Sequence, residues 1–397
     1  MIYITSTLPY GIAESCFFPE IKALINSGVE LKIVPMRPRG EIVEPEAFET
    51  MPFVEGRDLF SSRIFKTALK VFIKHPLRVI KAFFLILTSN PHYLLINIAL
   101  FPKALWLADL ATKYGAQHIH VHWASSPSTM AMVASYVSKV PWSLTAHRGD
   151  IVENYLLKRK ARHVEFFRCI SNRTKELALE RGVPNEKITV LHLGVDVPEE
   201  ITYSAPKKHS REIFVVFCPA FLVEVKGHRY LIEALLRLPE NVHLWLAGDG
   251  PLRKDLEEFV NKLKLQHRVK FLGLLKHSEI LNMYRENKVD VVVLASVDLG
   301  HGVHEGIPVA LIEAMAYGYP VIGTNTGGIP ELLGNGAGLL VQEKSSEELA
   351  KAILQVMENE DYRRMLSLKA RKRIEEEFSA EKVAKVLISK WSKGKKI

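Results

Sequence analysis

The chain alternates short apolar runs with longer stretches in which apolar residues return every three or four positions. Residues 2–5, 31–34, 118–123, 143–147, 168–170 and 188–191 read as strands in the first half. Residues 214–218, 242–247, 269–272, 289–294 and 320–323 read as strands in the second. Helical periodicity fills the gaps at 16–27 (closed by Gly28), 227–236, 251–262, 278–285, 308–317 and 346–357. Strands that alternate with helices give a parallel α/β sheet. The chain is long enough for two such cores, and no repeat links its halves. Leu193-Gly194-Val195-Asp196-Val197-Pro198 and the polar, lysine-bearing stretch after it suit a domain boundary. The end, 361–393, is charged and helical and finishes in Lys390, Lys393, Lys395 and Lys396.

An insert at 57–113 breaks the first alternation. From Arg57 to Lys103 it carries Arg57, Arg63, Lys66, Lys70, Lys74, Arg78, Lys81 and Lys103 against the single acid Asp58. Phe65, Leu69, Phe72 and Ile73 recur between the bases at helical spacing. Two readings stand: the apolar face packs on the sheet with the bases solvated, or the helix lies in an anionic membrane surface. Bases interrupt the apolar run before it reaches the ~18–20 residues of a spanning helix, so none is expected.

Hydrophobic content of 48% and charged content of 24% are ordinary for a globular protein. The net charge of +9 favours anionic ligands or surfaces. Nucleic acid is not expected as a partner, because the bases are not interleaved with stacking aromatics. No Gly-x-Gly-x-x-Gly follows the first strand, which disfavours a dinucleotide dehydrogenase. Cys16, Cys169 and Cys218 are scattered without a Cys-x-x-Cys and read as reduced, buried thiols of a cytoplasmic protein. The opening strand lacks a basic leader, so no signal peptide is expected.

Ligands of open parallel sheets gather at the carboxyl ends of strands, which points to loops 8–15, 123–126 and 147–150. His147 ends a strand, with Asp150 three residues on. Glu14-Ser15 is either an acceptor-side pair or a plain helix start with Ser15 as N-cap. His118, His120 and His122 share one strand face and are read as packing residues, not as a zinc site. No Asp-x-Asp occurs, so no metal or other cofactor is expected.

The richest stretch is Glu305-Gly306-Ile307-Pro308-Val309-Ala310-Leu311-Ile312-Glu313. It reads as a loop, a helix with Pro308 in its first turn, a left-handed stop at Gly318 and a buried strand. Free N–H groups at the helix start suit an anion. Two carboxylates there suit neutral diols on either side of a diphosphate. Glu305-x7-Glu313, Ala-Met-Ala-x-Gly-x-Pro-Val-Ile-x-Thr and Gly327-Gly328-Ile329-Pro330-Glu331 resemble the donor-site signature of retaining family 4 glycosyltransferases. The Glu-Gly-Ile-Pro variant is most similar to members that assemble bacterial exopolysaccharides such as colanic acid.

That resemblance implies a GT-B architecture, two Rossmann-like domains facing across a cleft. The expected segments are an acceptor-side domain at 1–197, a linker at 198–211, a donor-binding domain at 212–378 and a helix at 379–397 crossing back to the first domain. It implies a sugar moved from a nucleotide diphosphate to a hydroxyl of a glycan or lipid-linked oligosaccharide, with retention. Lys226 would hold the diphosphate, Glu305 the sugar, Glu313 the ribose, and Gly273 and Leu274 the nucleobase, with His147 at the reacting centre. Gly306, Ile307, Pro308, Val309, Ala310 and Leu311 would line the donor, and Glu14, Ser15 and Asp150 the acceptor. The sequence departs from the family at Ala220-Phe221-Leu222, where many members have Gly-Arg-Leu and the Arg grips the diphosphate.

Overall fold

The computed structural model describes residues 1–10, 14–42, 45–153, 155–200, 213–300 and 302–392. Contacts divide the chain into one unit of Met1–Leu193 with Val383–Ile397 and a second of Gly194–Lys382. Much of the expected linker, the loop tip 11–13 and the terminal lysines from 393 on lie outside the described residues.

The first unit holds β1 (Ile2–Thr5), α1 (Phe18–Asn26), β2 (Lys32–Pro35), α2 (Pro45–Thr50) and the insert helices α3 (Ser62–Lys74), α4 (Pro76–Leu85) and α5 (Pro91–Lys113). Then follow β3 (Ile119–His122), α6 (Ser126–Ser138), β4 (Trp142–Ala146), α7 (Arg148–Glu153), α8 (Leu157–His163), β5 (Phe167–Cys169), α9 (Asn172–Glu180) and β6 (Ile188–Val190). Its six parallel strands run in the order β2-β1-β3-β4-β5-β6. The sheet therefore reverses direction of growth at β1 and β3, and the loops after those strands flank the switch point.

The second unit holds β7 (Phe214–Pro219), α10 (His228–Ala234), β8 (Val242–Ala247), α11 (Arg253–Lys262), β9 (Val269–Gly273), α12 (His277–Arg285) and β10 (Val291–Leu294). It continues with α13 (Val309–Ala316), β11 (Val321–Thr324), α14 (Ile329–Leu333), β12 (Leu339–Val341), α15 (Ser346–Glu358) and α16 (Glu360–Glu377). Its strand order is β12-β11-β10-β7-β8-β9, all parallel, with the switch between β7 and β10. The central strands β7 and β10 are buried at every position, which explains their unbroken apolar runs. Each such Val or Leu contributes about 1.5–3 kcal/mol by burial. The last helix, α17 (Ala380–Trp391), returns to the first unit. There Val383 and Leu387 pack on Phe166, and Trp391 lies 5.4 Å from the His120 ring.

Several expectations change at this level. Pro308 is the N-cap of α13, not part of its first turn: its ψ of 117° is extended. Lys103 is not a surface base. Its ammonium is fully buried and donates to the carbonyls of Pro35, Met36 and Arg57 at 2.7–2.8 Å, and burial lowers its pKa to about 8. Helix α5 is 23 residues long and apolar enough to cross a membrane by length and composition, with half of that stretch buried inside the unit. Bases interrupt the longer apolar region, but only Lys103 falls in the interior of α5. Cys169 and Cys218 are buried, which pushes both thiols up to about 12, whereas Cys16 is partly exposed.

Candidate functional site

In the second unit, the loops after β7 and β10 flank the switch point and carry the charged groups. Lys226 ends a short 3-10 turn, and its Nζ lies 2.5 Å from Glu305 Oε2. Ser296 Oγ donates to the same oxygen at 3.1 Å. Glu313, on the second turn of α13, takes His277 Nε2 at 2.7 Å on its Oε1. Each glutamate thus has one oxygen engaged, and among the described residues Glu305 Oε1 and Glu313 Oε2 stay open. A carboxylate with one open oxygen accepts hydroxyl donors well. The pairing with Lys226 and His277 offsets the repulsion that two bare carboxylates would present to an anion.

Backbone geometry holds these groups. Gly227, which follows Lys226, has φ +60°, and a Cβ there would meet the Ala295 carbonyl at 2.0 Å. Gly327 has φ +59°, and a Cβ would meet the Glu305 carbonyl at 2.0 Å. Only glycine allows the loops to close this tightly. Gly306 differs, because a Cβ there would meet nothing within 4 Å. At the start of α13, Pro308 has no N–H, and the N–H groups of Leu311 and Ile312 bond to the Pro308 carbonyl. Among the described residues, the Val309 and Ala310 N–H groups therefore remain as the open donors of that turn. Leu311 itself is fully buried in the core, as is most of Ile307, so their side chains pack the turn. Gly273 has φ +72° and spends its carbonyl on the Gly248 N–H, while Leu274 beside it is exposed.

In the first unit, Glu14 is spent on its own loop. Its carboxylate accepts from the N–H groups of Ser6, Thr7 and Leu8, from the Thr7 hydroxyl and from Trp123 Nε1. Five donors saturate a carboxylate, so Glu14 organises the loop after β1 and has no capacity left for an acceptor. Nor is Ser15 an N-cap: Glu14 occupies that position, without a capping bond. Asp150 is buried and accepts the His147 N–H at 3.0 Å. Burial raises its pKa to about 6. Lys160 is also buried, and its ammonium donates to the Ala124 and Ser125 carbonyls at 2.7 Å. Asp150 thus fixes the turn that presents His147.

A chain of hydrogen bonds missed by motif reading sets the proton on His147. The buried Glu20 carboxylate pairs with Arg168 at 2.7 Å. A carboxylate only accepts, so Tyr3 donates its hydroxyl proton to Glu20 at 2.8 Å. The Tyr3 oxygen then accepts from His122 Nδ1 at 2.9 Å. Burial pushes the His122 pKa well below its usual value, so the ring is neutral and its Nε2 is bare. His122 Nε2 lies 2.8 Å from His147 Nε2, which must therefore carry the hydrogen. Burial also lowers the His147 pKa to about 3, so Nδ1 is left as an acceptor. Trp123, at the end of β3, has φ +95° and a ring 4.4 Å from that of His147. Strained residues of this kind gather at functional sites.

His118 and His120 share the Ser143 hydroxyl at 2.8 Å, and His120 also meets Thr145 at 3.0 Å, as packing residues do. Among the described residues, no three His, Cys, Asp or Glu side chains are grouped to hold a metal ion. Burial lowers the pKa of His118, His120, His122 and His147 alike. A depressed folded pKa contributes stability that is complete above the ordinary value of 6.5 and lost as pH falls below it. At pH 5 a fully buried histidine has forfeited about 2 kcal/mol. Asp150 acts oppositely, because its raised pKa favours the folded state as pH falls through about 6. One acid does not offset four histidines. The melting temperature is expected to fall between pH 7 and pH 5, and His120→Gln to shrink that fall. A melting temperature flat across this range contradicts the neutral-histidine ladder.

Comparison with known proteins places both units. Residues 21–199 match the model described as Glycosyltransferase Family 4, and residues 200–373 that described as Glycosyl transferases group 1. An uncharacterized glycosyltransferase, MJ1178 of Methanocaldococcus jannaschii, is 30% identical over 276 residues, 68% of this chain and 73% of that protein. The putative colanic acid biosynthesis glycosyltransferase WcaL of Escherichia coli is 32% identical over 52% of each chain. The amylovoran biosynthesis glycosyltransferase AmsK of Erwinia amylovora is 30% identical over 59% of each. The alignments therefore span only about half of WcaL and three fifths of AmsK. Among solved structures, Anabaena Alr3699/HepE in complex with UDP-glucose superposes with a TM-score of 0.70 at 19% identity, over 98% of this chain and 99% of that one. TarM gives 0.71 at 14% identity, over 98% of each. The fold is GT-B.

Proposed function

This chain belongs to the family 4 glycosyltransferases, and from that premise we propose that it moves a sugar from a nucleotide diphosphate to a hydroxyl of a glycan or lipid-linked oligosaccharide. The reading includes retention at the anomeric carbon and no metal. The observation that carries it is the Lys226–Glu305 pair at 2.5 Å, set at the switch point of the second sheet. A departing diphosphate gathers negative charge, and stabilising such charge is the largest catalytic lever of a fixed site. Lys226 and the Val309 and Ala310 N–H groups supply it. The open oxygens of Glu305 and Glu313 take the sugar and ribose hydroxyls, and Gly273 with Leu274 is assigned to the base. His147 is assigned to a substrate hydroxyl, received at Nδ1.

The naming of WcaL for colanic acid biosynthesis and of AmsK for amylovoran biosynthesis supports a cell-envelope glycan as product. The HepE complexes with UDP and UDP-glucose make uridine diphosphate sugars the first donors to try. A lipid-linked acceptor would bring the enzyme to the cytoplasmic face of the membrane. One observation favours a second reading, a non-catalytic binder: Phe221 is 60% exposed at the position where the family resemblance implies an arginine for the diphosphate.

The experiment is transfer from labelled sugar nucleotides to membrane lipid acceptors in excess EDTA, with the product anomer read by NMR. A product with the donor's anomeric configuration is expected. An inverted product, or turnover only on adding divalent metal, contradicts the mechanism, and nucleotide binding without turnover selects the second reading.

A further inference from the structure

Helices α3 and α4 bury only part of their apolar surface. On α3, Ile64, Ala68 and Val71 face inward, while Phe65, Leu69, Phe72 and Ile73 stay exposed. On α4, Val79 and Ala82 face inward, while Leu77, Ile80, Phe83 and Phe84 stay exposed. The most open are Ile73 at 70% and Leu77 at 74%. A groove of about 460 Å³ runs between them, lined by Phe65, Leu69, Phe72, Ile80, Phe83 and Phe84 and floored by α5. Packing on α5 and α6 therefore accounts for one ridge of each helix and leaves the other uncovered.

Charge indicates what covers it. Arg63, Lys66, Lys70, Lys74, Arg78 and Lys81 lie on the same two helices, beside the exposed ridge. None makes an ion pair among the described residues, and no Asp or Glu occurs between Asp58 and Asp109. At about 100° per residue, Lys66, Lys70 and Lys74 form one ridge adjoining the apolar one, and Arg78 and Lys81 repeat the arrangement on α4. A second copy of the chain on this face would bring two sets of unpaired cations together, which is costly. An anionic bilayer meets both features, with apolar side chains entering the acyl boundary and lysines remaining at the headgroups.

We propose that the α3–α4 face is a membrane-docking surface that inserts Phe65, Leu69, Phe72, Phe83 and Phe84 into an anionic bilayer, with the six bases as its electrostatic rim. It deepens the proposed function, on which its purpose rests, but vesicle binding is read without turnover, so either can fail alone.

The test is co-sedimentation of the full chain with vesicles free of polyprenyl lipid, either phosphatidylcholine alone or mixed with phosphatidylglycerol. Binding to the mixed vesicles is expected, weakened by salt and about tenfold or more weaker on phosphatidylcholine alone. Phe72→Ser with Phe84→Ser should weaken binding by about tenfold at an unchanged melting temperature, since both side chains are exposed. Lys66→Glu, Lys70→Glu and Lys74→Glu together should abolish the anionic preference. Three results overturn the proposal: wild type in the supernatant with both vesicles, binding only after a polyisoprenyl phosphate is added, or a dimer that the Phe substitutions dissociate.

Discussion

Lys226→Ala is expected to lower sugar transfer by roughly a hundred- to a thousandfold, the usual cost of removing one preorganised donor to a developing anion. Position matters here as well as charge. Gly227 locks the turn after β7 against the Ala295 carbonyl, which fixes where Lys226 stands. Phe221 adds no charge at the position where the family resemblance implies an arginine. The fold should survive, because Glu305 keeps its bond from Ser296 and both side chains of the pair retain some exposure. Glu305→Ala should lose turnover similarly, through the sugar instead of the diphosphate. Full activity in either variant, read as nucleoside diphosphate release, would remove this site from the account.

The second large effect is on stability. Glu20→Ala strands the Arg168 guanidinium, which is fully buried against Glu20, Thr145 and the carbonyls of Leu191 and His192. Breaking a buried pair from one side costs about 3–5 kcal/mol, and the first unit should show it as an early transition in urea. Tyr3→Phe separates the stability role from the chemical one. It leaves Glu20–Arg168 intact but frees His122 to move its hydrogen to Nε2, which turns His147 Nδ1 from acceptor to donor. The expected result is a modest loss of stability, about 1–3 kcal/mol for the buried polar group left unpaired, with a disproportionate loss of kcat. Equal effects of Tyr3→Phe and Glu20→Ala on stability, with kcat unchanged, would leave the chain a purely structural network.

The sequence carried the alternation of strands and helices well, because strands buried on both faces are continuous apolar runs. It missed β12, three residues preceded by Gly338, and it extended several helices into their caps. Glu305 and Glu313 were legible together because one contiguous motif orders them around a helix start, and Lys226 separately because it follows a strand and a loop at Lys226-Gly227. The partners that tune them were not. Ser296 and His277 carry no local pattern, and the Tyr3–His122 contact joins residues 119 positions apart. Glu14 and Lys103 show the converse error. A charged residue in a loop or a basic stretch looks available to a ligand, and only the fold reveals that backbone groups have consumed it. The amphipathic insert was legible as a pattern, but the exposure of its second apolar ridge was not.

The most direct measurement of the central claim is the melting temperature of wild type and Lys226→Ala against a panel of nucleoside diphosphates and their sugars in EDTA. A ligand that binds only the folded state raises the melting temperature. The account predicts a clear rise for wild type with one nucleotide series, uridine first, and little or none for Lys226→Ala. No rise with any member, or an equal rise in the two proteins, would contradict a metal-independent diphosphate site built on Lys226.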